Sequence, residues 1–371
     1  MIYPMTTAVH RVYNFSAGPA VMPVPVLEEI QRDLVALPRV GMSILEVSHR
    51  SKIFEGILAQ AEADIRSLAN VPPGYKVLFL QGGASTQFSM VPMNLLPAGA
   101  TADYLDTGSW AVKAIEEARK VGGVNVAAST ADVGYARIPD TSELRLTPGA
   151  AYVHITSNNT IEGTEFKQLP EVVGAPLVSD ASSDIFSRPI DVARHGLIYA
   201  GAQKNMGPAG VTLVVIRDDL VARAAGRTKV LPTMLNYAVH AENGSLYNTP
   251  STFAVYALGL VMKWLIGRGG LAAIAEANER KASTLYAEID RTGFYRGTAQ
   301  SNSRSMMNVT FRLASDALEK LFVGEATTAG LDGLKGHRSV GGMRASIYNA
   351  FPEEGIDALV AFMRDFEQKR G

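Results

Sequence analysis

The residues with the clearest chemical potential surround Lys204. This lysine lies in the stretch Ala200–Gly210, AGAQKNMGPAG, directly after the apolar run Leu197–Ala200. The stretch has no acidic side chain, so we expect the amine to be desolvated and its pKa to fall. A neutral lysine of this kind is a nucleophile or a Schiff-base former. The alternative is a surface lysine at a strand end followed by a turn.

Asp180 ends a second apolar run, and Lys204 follows 24 residues later. If both runs are strands of a parallel sheet, both side chains lie at its carboxyl edge, where ligands bind. A neighbouring cation would lower the pKa of Asp180. The alternative for this pair is a structural Asp–Lys ion pair.

The loop Gln81–Thr86, QGGAST, adds a third feature between a predicted strand and a predicted helix. The free N–H groups and the positive end of a helix bind phosphate, and Ser85 or Thr86 is the candidate helix cap. A simple capped helix is the alternative for the loop alone. A lysine, a carboxylate and a phosphate loop together indicate a pyridoxal phosphate site, in which the carboxylate keeps the pyridine nitrogen protonated.

Further candidates follow other predicted strands or lie in basic clusters. Trp110, after DTGS, presents an indole that can stack on a flat ring, and Thr160, in SNNTIEG, can donate a hydrogen bond to a phenolic oxygen. The tetrads SHRS at 48–51 and GHRS at 336–339, with Arg344, suit carboxylate and phosphate, although solvated surface arginine is the alternative. The six histidines have no close metal-ligand spacing, so we expect no metal site.

These residues need a sheet to position them, and the sequence predicts one. Seven apolar runs indicate strands, at 76–80, 102–106, 124–128, 151–155, 176–179, 197–200 and 211–216. Helical spacing at 24–37, 52–69, 86–96, 111–121 and 168–173 surrounds or separates them. This alternation favours an α/β fold with a mostly parallel seven-stranded sheet covered by helices.

The chain changes character after Arg217. Residues 218–250 are rich in loop signals, and then helices are predicted at 251–267, 271–291, 315–330 and 353–369, with strands near 306–312 and 339–347. We predict a large domain over 26–262, a smaller α+β domain over 263–371, and an N-terminal segment, 1–25, that packs with the small domain.

The composition excludes several other classes of protein. A net charge of −1 gives no reason to expect nucleic acid or an anionic membrane as a partner. The chain has no cysteine, which excludes disulfides and thiolate catalysis and fits a reducing compartment. The first ten residues lack a signal-peptide pattern, and the longest apolar run, Phe253–Ile266, is too short for a bilayer. We therefore expect a cytoplasmic protein with small-molecule substrates.

The motifs closely resemble those of the phosphoserine aminotransferase family, which belongs to the class V, fold-type I pyridoxal phosphate enzymes. The resemblance runs from NFSAGP at 14–19 through GMSILEVSHRS, QGGASTQF, ADYLDTGSWA, SRPIDVARHG, IYAGAQKNMGPAG and NTPSTFA to KGHRSVGGMRASIYNA, which is essentially the whole chain. It implies a homodimer with shared active sites. It also implies transamination between L-glutamate and 3-phosphohydroxypyruvate, giving 2-oxoglutarate and O-phospho-L-serine, and possible use of 3-hydroxy-2-oxo-4-phosphooxybutanoate in pyridoxal phosphate synthesis.

The resemblance also implies roles for individual residues. Lys204 would be the Schiff-base lysine and Asp180 the pyridinium partner, with Trp110 stacked on the ring and Thr160 on its phenolic oxygen. The remaining cofactor contacts would come from Ala84, Ser85 and Gln203 on the phosphate, and from Asn248 and Thr249 of the neighbouring subunit. Substrate would be bound by Arg344 at the α-carboxylate, and by Ala17, His49, Arg50, His337 and Arg338 at the distal anionic group.

Two positions depart from some family members. Ser85 stands where some relatives have arginine, and Ala17 where some have serine, which affects the distal anion site.

Two other functions compete with transamination. A class V lyase such as a cysteine desulfurase or a kynureninase is one alternative, but a desulfurase normally needs a catalytic cysteine. A pyridoxal phosphate-binding module without catalysis is the other, but it would be expected to lack Lys204 or Arg344, and both are present.

Overall fold

A computed structural model of the chain describes residues 11–371. The part of the predicted N-terminal segment at 1–10, and the signal-peptide expectation that depends on it, lie outside the described residues. The strands are β1 Tyr13–Asn14, β2 Tyr75–Leu80, β3 Thr101–Asp106, β4 Gly123–Ser129, β5 Val153–Thr156, β6 Asn158–Asn159, β7 Thr164–Glu165, β8 Leu177–Asp180, β9 Leu197–Gly201, β10 Thr212–Arg217, β11 Arg296–Gly297, β12 Asn308–Arg312, β13 Leu331–Asp332 and β14 Met343–Ser346.

The α-helices alternate with these strands in the first two thirds of the chain and dominate the last third. They are α1 Val24–Asp33, α2 Lys52–Leu68, α3 Gly83–Leu95, α4 Ser109–Arg119, α5 Asp218–Ala225, α6 Tyr237–Glu242, α7 Thr252–Gly267, α8 Gly270–Ile289, α9 Asp316–Thr328 and α10 Glu353–Arg370.

The central sheet has seven strands in the order β2-β10-β9-β8-β5-β3-β4. β10 is antiparallel to both of its neighbours, whereas the pairs β9-β8, β8-β5, β5-β3 and β3-β4 are parallel. β5, β8 and β9 are buried along their full length, as strands covered on both faces must be. The prediction of an α/β fold with a mostly parallel seven-stranded sheet is confirmed.

Each face of this sheet has its own hydrophobic core. On one face α1, α2 and α7 pack against alternate residues of β2, β9 and β10, with Phe54, Ile65 and Leu258 among the fully buried side chains. On the other face α3, α4, α5 and α6 pack against the intervening residues of the same strands. Helices α3 and α4 begin directly after β2 and β3, so their first turns lie at the carboxyl edge of the sheet.

A separate core lies in the C-terminal third. The antiparallel sheet β11-β12-β14 packs with α8, α9 and α10, and Phe322 and Phe366 are fully buried there. The N-terminal strand β1 pairs with β13, and Phe15 lies in this same core. The domain limits themselves stay a prediction, and the predicted boundary at 262/263 falls inside α7.

Three sequence expectations are corrected. No helix forms at 168–173, where the chain is irregular; Pro170 has no N–H to donate, and the residue before it is disfavoured in helical geometry. The loop-rich stretch 218–250 contains α5 and α6. The strand expected at 339–347 is shortened to β14 because the residues before it form a turn.

In the described chain no single helix is long and apolar enough to cross a membrane, and α7 with α8 reach that length only as a pair bent by 83°.

Candidate active site

Lys204 lies in the turn that follows β9 at the carboxyl edge of the sheet. Its Nζ donates a hydrogen bond of 2.7 Å to Oγ1 of Thr160. Burial lowers the pKa of Lys204 from 10.5 to about 8, although the negative charge of Asp180 opposes this shift. Near neutral pH the free amine, which is the form that attacks a carbonyl carbon, is therefore more populated in this lysine than in an exposed one.

Asp180 is the last residue of β8, and in the pairing of β8 with β9 it lies opposite Tyr199. Its side chain is buried, and its Oδ1 accepts a hydrogen bond of 3.0 Å from the backbone N–H of Ser182. Burial raises the pKa of Asp180, and this outweighs the lowering effects of Ser182 and Lys204. Lys204 lowers the pKa of Asp180, as expected of a neighbouring cation, but desolvation is the larger effect, so the net pKa is raised in the protein alone.

Thr160 joins the lysine to Arg344. While the Thr160 hydroxyl accepts from Lys204, its backbone carbonyl accepts a hydrogen bond of 3.3 Å from Nη1 of Arg344. Arg344 lies in β14 of the C-terminal sheet, so this contact joins that sheet to the turn after β6. Burial lowers its pKa, and Nε of Arg344 is buried without a hydrogen-bond partner among the described residues. The guanidinium is thus held next to the amine with donor capacity left for a ligand.

Trp110 lies in the first turn of α4 and packs against Phe88 of α3, with ring centroids 6.4 Å apart. Its indole Nε1 is buried without a partner in the described chain. Lys113 places its ammonium 4.1 Å from the centre of the indole. The indole therefore lies where the start of α4 packs against α3.

The predicted phosphate loop begins α3 as expected, with Ala84 and Ser85 in its first turn. Gly82 is the residue that begins the helix, in a left-handed conformation with φ of 92°, and no side chain caps it. The Thr86 hydroxyl instead donates a hydrogen bond of 3.1 Å to the Gly82 carbonyl. The prediction of Ser85 or Thr86 as the cap is therefore wrong, and the first N–H groups of α3 have no side-chain cap competing with a phosphate.

Other predicted site residues are placed at different distances from this centre. Gln203 adjoins Lys204, and its carbonyl accepts from the N–H of Ala20. The carbonyl of Ala17 accepts a 2.7 Å hydrogen bond from the hydroxyl of Tyr348. His337 shares a cavity of about 170 Å³ with Arg344.

The structure does not bring the remaining predicted residues into contact with Lys204 within one chain. His49 is half-buried and its Nε2 has no partner among the described residues, while Arg50 and Arg338 are exposed. Asn248 and Thr249 lie beside Gln81 of their own chain, whose Nε2 donates a 3.2 Å hydrogen bond to the Thr249 carbonyl. Their roles stay predictions.

Sequence reasoning missed Glu162, a buried carboxylate in the same cavity as Arg344. Its Oε1 accepts hydrogen bonds from the N–H and the hydroxyl of Ser109, at 2.8 and 2.7 Å. The only signal available was its position two residues after Thr160.

The arrangement fits pyridoxal phosphate because it contains buried polar atoms that have no hydrogen-bond partner among the described residues. Trp110 Nε1, Arg344 Nε and Thr156 Oγ1 are buried without partners in the part of the chain that the structure describes, and buried polar groups ordinarily have partners. A lysine with a lowered pKa, a buried carboxylate and an uncapped helix start complete the set of groups that a pyridine ring with a phosphate needs.

Comparisons with known proteins identify the family of the chain. The family pattern described as "Aminotransferase class-V" matches residues 12–359. The phosphoserine aminotransferase of Desulfosudis oleivorans is 56% identical over 363 residues, covering 97% of this chain and 99% of the relative. The solved structure of the phosphoserine aminotransferase from Bacillus circulans subsp. alkalophilus superposes with a TM-score of 0.94 at 53% identity, covering 97% of this chain and 99% of that one.

A solved phosphoserine aminotransferase from Trichomonas vaginalis, described as bound to pyridoxal phosphate, superposes with a TM-score of 0.91 at 38% identity and covers 95% of this chain and 100% of that one. The fold and the site thus define a class V aminotransferase of fold-type I that uses pyridoxal phosphate. Within that class the chain belongs to the phosphoserine aminotransferase family.

Proposed function

We propose that this enzyme transfers an amino group between L-glutamate and 3-phosphohydroxypyruvate, with 2-oxoglutarate and O-phospho-L-serine as the products. The observation that carries the proposal is the double contact of Thr160, which joins the amine of Lys204 to the guanidinium of Arg344. An α-amino acid needs both groups at once, because its carboxylate and its reacting nitrogen are attached to the same carbon. The similarity to phosphoserine aminotransferases supports the phosphorylated substrate.

Residues at the carboxyl edge of the central sheet would hold the cofactor. Lys204 would bind its aldehyde carbon, Asp180 its pyridine nitrogen, Trp110 the face of its ring and Thr160 its phenolic oxygen. Its phosphate would be held by Ala84, Ser85 and Gln203. When bound, pyridoxal phosphate supplies an electron sink that stabilises negative charge on the substrate α-carbon.

Lys204 is the group that moves the substrate proton. With a pKa lowered to about 8, its Nζ accepts a proton from the α-carbon and returns it when the amino group is delivered. Arg344 holds the α-carboxylate through donors that include the unpartnered Nε. As a carboxylate at the buried end of the site, Asp180 would favour a protonated pyridine nitrogen.

The distal anionic group of the substrate would be held by basic side chains of both subunits of a homodimer. His337 lies in the cavity of Arg344, whereas His49, Arg50 and Arg338 do not contact the site within one chain. Asn248 and Thr249 would reach the cofactor phosphate of the other subunit. Exposed apolar side chains on the same segments support an interface there; they are Leu34, Val35, Met42, Leu45, Met234 and Tyr247.

The same pocket would take 3-hydroxy-2-oxo-4-phosphooxybutanoate, since this acid also combines an α-carboxylate with a phosphate monoester. The Ala17 and Ser85 positions would then set how tightly each distal group is held. A cytoplasmic location and the absence of nucleic-acid or membrane partners belong to this proposal as well, on the grounds of composition alone.

The test is an assay of the pyridoxal phosphate-loaded protein with phosphoserine and 2-oxoglutarate, measuring the amino acid formed, which is glutamate. Matched reactions replace phosphoserine by serine, or 2-oxoglutarate by pyruvate, in which case the amino acid measured is alanine, and the Lys204→Ala variant gives the background. We expect kcat/KM to be higher with phosphoserine than with serine and higher with 2-oxoglutarate than with pyruvate. Equal kcat/KM values for phosphoserine and serine would exclude a specific role for the substrate phosphate, although the protein would still be an aminotransferase.

A further inference from the structure

Glu162 lies in the turn between the short strands β6 and β7, which also carries Thr160. Gly163 makes this turn possible, with φ of 76°, and its hydrogen faces Thr310 so closely that an added Cβ would lie 2.2 Å from Thr310 Oγ1. The Thr310 hydroxyl donates a 3.1 Å hydrogen bond to the backbone carbonyl of Glu162. Thr310 is the cross-strand partner of Arg344, so the backbone of Glu162 is fixed to the substrate-binding strand pair.

The side chain of Glu162 points the other way, to the start of α4. Gly108, the residue before α4, provides no side-chain cap. Glu162 Oε1 fills that place by accepting from both the N–H and the hydroxyl of Ser109. A carboxylate at this end of a helix also interacts favourably with the helix dipole. Trp110 is the next residue, so Glu162 restrains the turn from which the indole extends.

Gly108 is required for this contact. A Cβ at position 108 would lie 2.6 Å from Oε2 and 2.8 Å from Cδ of Glu162, which is too close for any carbon atom. The carboxylate of Glu162 thus packs directly against the backbone of Gly108. Its Oε2 is buried without a hydrogen-bond partner among the described residues.

We propose that Glu162 is a positioning residue: its carboxylate, anchored by Thr310, holds the first turn of α4 so that the Trp110 indole stays flat against the cofactor ring. The hydrogen bonds of one glutamate connect the strand pair that carries Arg344 to Ser109, the residue directly before Trp110. This inference rests on the proposed stacking role of Trp110, and its test is designed to fail separately from that role.

The experiment uses full-length, pyridoxal phosphate-loaded protein in a Trp264→Phe background, since the chain has only two tryptophans and Trp110 then gives all the indole emission. The variants are Glu162→Ala, Glu162→Gln and Gly108→Ala. Three readouts are independent of turnover: the visible circular dichroism of the bound cofactor, the quenching of Trp110 emission by it, and its dissociation constant from equilibrium dialysis. Glu288→Gln is the matched control, because Glu288 is also buried and hydrogen-bonded, to Arg291 and Arg364, within the C-terminal core.

We expect Glu162→Ala and Gly108→Ala to lose the dichroic band and the quenching, and to bind the cofactor on the order of ten- to a hundredfold more weakly, as when a hydrogen bond to a charged group is lost. Glu162→Gln keeps an acceptor oxygen for Ser109, so all three readouts should stay near those of the parent. Glu288→Gln should leave them unchanged. If Glu162→Ala does not fold, Gly108→Ala tests the same contact.

Three results would overturn the inference. The first is that Glu162→Ala or Gly108→Ala matches the parent in all three readouts. The second is that Glu162→Gln loses the dichroic band, the quenching and the affinity as completely as Glu162→Ala, and the third is that Glu288→Gln shows the same losses. Trp110→Ala separates the two proposals through the dichroism and the dissociation constant. If this variant matches the parent, the stacking role itself is wrong, whereas if it changes both readouts and Glu162→Ala does not, only the role of Glu162 is wrong.

Discussion

Replacing Lys204 by methionine should stabilise the protein when it is free of cofactor, even though it abolishes function. The pKa of Lys204 falls from 10.5 to about 8 on folding because its ammonium is desolvated. Each pKa unit is worth about 1.36 kcal/mol, so below pH 8 the buried charge lowers the free energy of unfolding by at most about 3 kcal/mol. Methionine removes this penalty but leaves Asp180 without its cation, so we expect a net gain of about 1–3 kcal/mol at pH 7.

The sign of the pH dependence gives the sharper test. Between pH 8 and 10.5 the unfolded lysine holds a proton that the folded lysine has lost, so the parent gains stability there as the pH rises. The advantage of Lys204→Met should therefore shrink across this window. Urea denaturation of the cofactor-free parent and variant at several pH values measures it, with the exposed Lys263→Met as the control. A loss of stability in Lys204→Met at pH 7, or a difference that does not change with pH, would refute the reasoning.

Three further predictions concern the loaded enzyme. Asp180→Asn should retain cofactor but slow α-proton removal by about two orders of magnitude or more. The reason is that a unit charge about 5 Å from the charge it stabilises is worth roughly 3 kcal/mol at an effective dielectric constant of 20. An isotope-exchange rate equal to the parent's would exclude this role. Arg344→Ala should lower kcat/KM for both phosphoserine and glutamate. Arg338→Ala should lower kcat/KM on the order of ten- to a hundredfold for phosphoserine and less for glutamate. If Arg338→Ala lowers kcat/KM equally for the two substrates, Arg338 does not bind the phosphate. Mixing inactive Lys204→Ala with inactive Thr249→Trp should restore part of the activity through hybrid dimers, and a fully active monomer in sedimentation would contradict a shared site.

The sheet and the ends of its strands could be predicted from the sequence because both depend on local signals. Every one of the seven predicted strands exists within two residues of its expected limits, and Asp180 and Lys204 both lie at the carboxyl edge. Continuous apolar runs are specific for strands covered on both faces, and a polar residue directly after such a run can only lie at the edge.

What the sequence did not reveal depends on contacts between distant segments. Glu162 is 53 residues from Ser109, so no local pattern connects the two. The net pKa of Asp180 is raised in the protein alone because burial, which is set by the whole fold, outweighs the lowering effect of the neighbouring Lys204. The helix cap at Gly82 was missed because its left-handed backbone, rather than a side chain, begins α3. Arg50 and Thr249 could not be placed because their proposed roles need a second subunit.

The most direct test of the account is to identify the lysine that holds the cofactor. Borohydride reduction of the loaded enzyme fixes pyridoxal phosphate to that lysine, and peptide mapping by mass spectrometry locates the label. Because the Lys204 amine has a lowered pKa and is held by Thr160 beside Arg344, we predict a single labelled peptide that contains Lys204. A label on any other lysine would contradict the account.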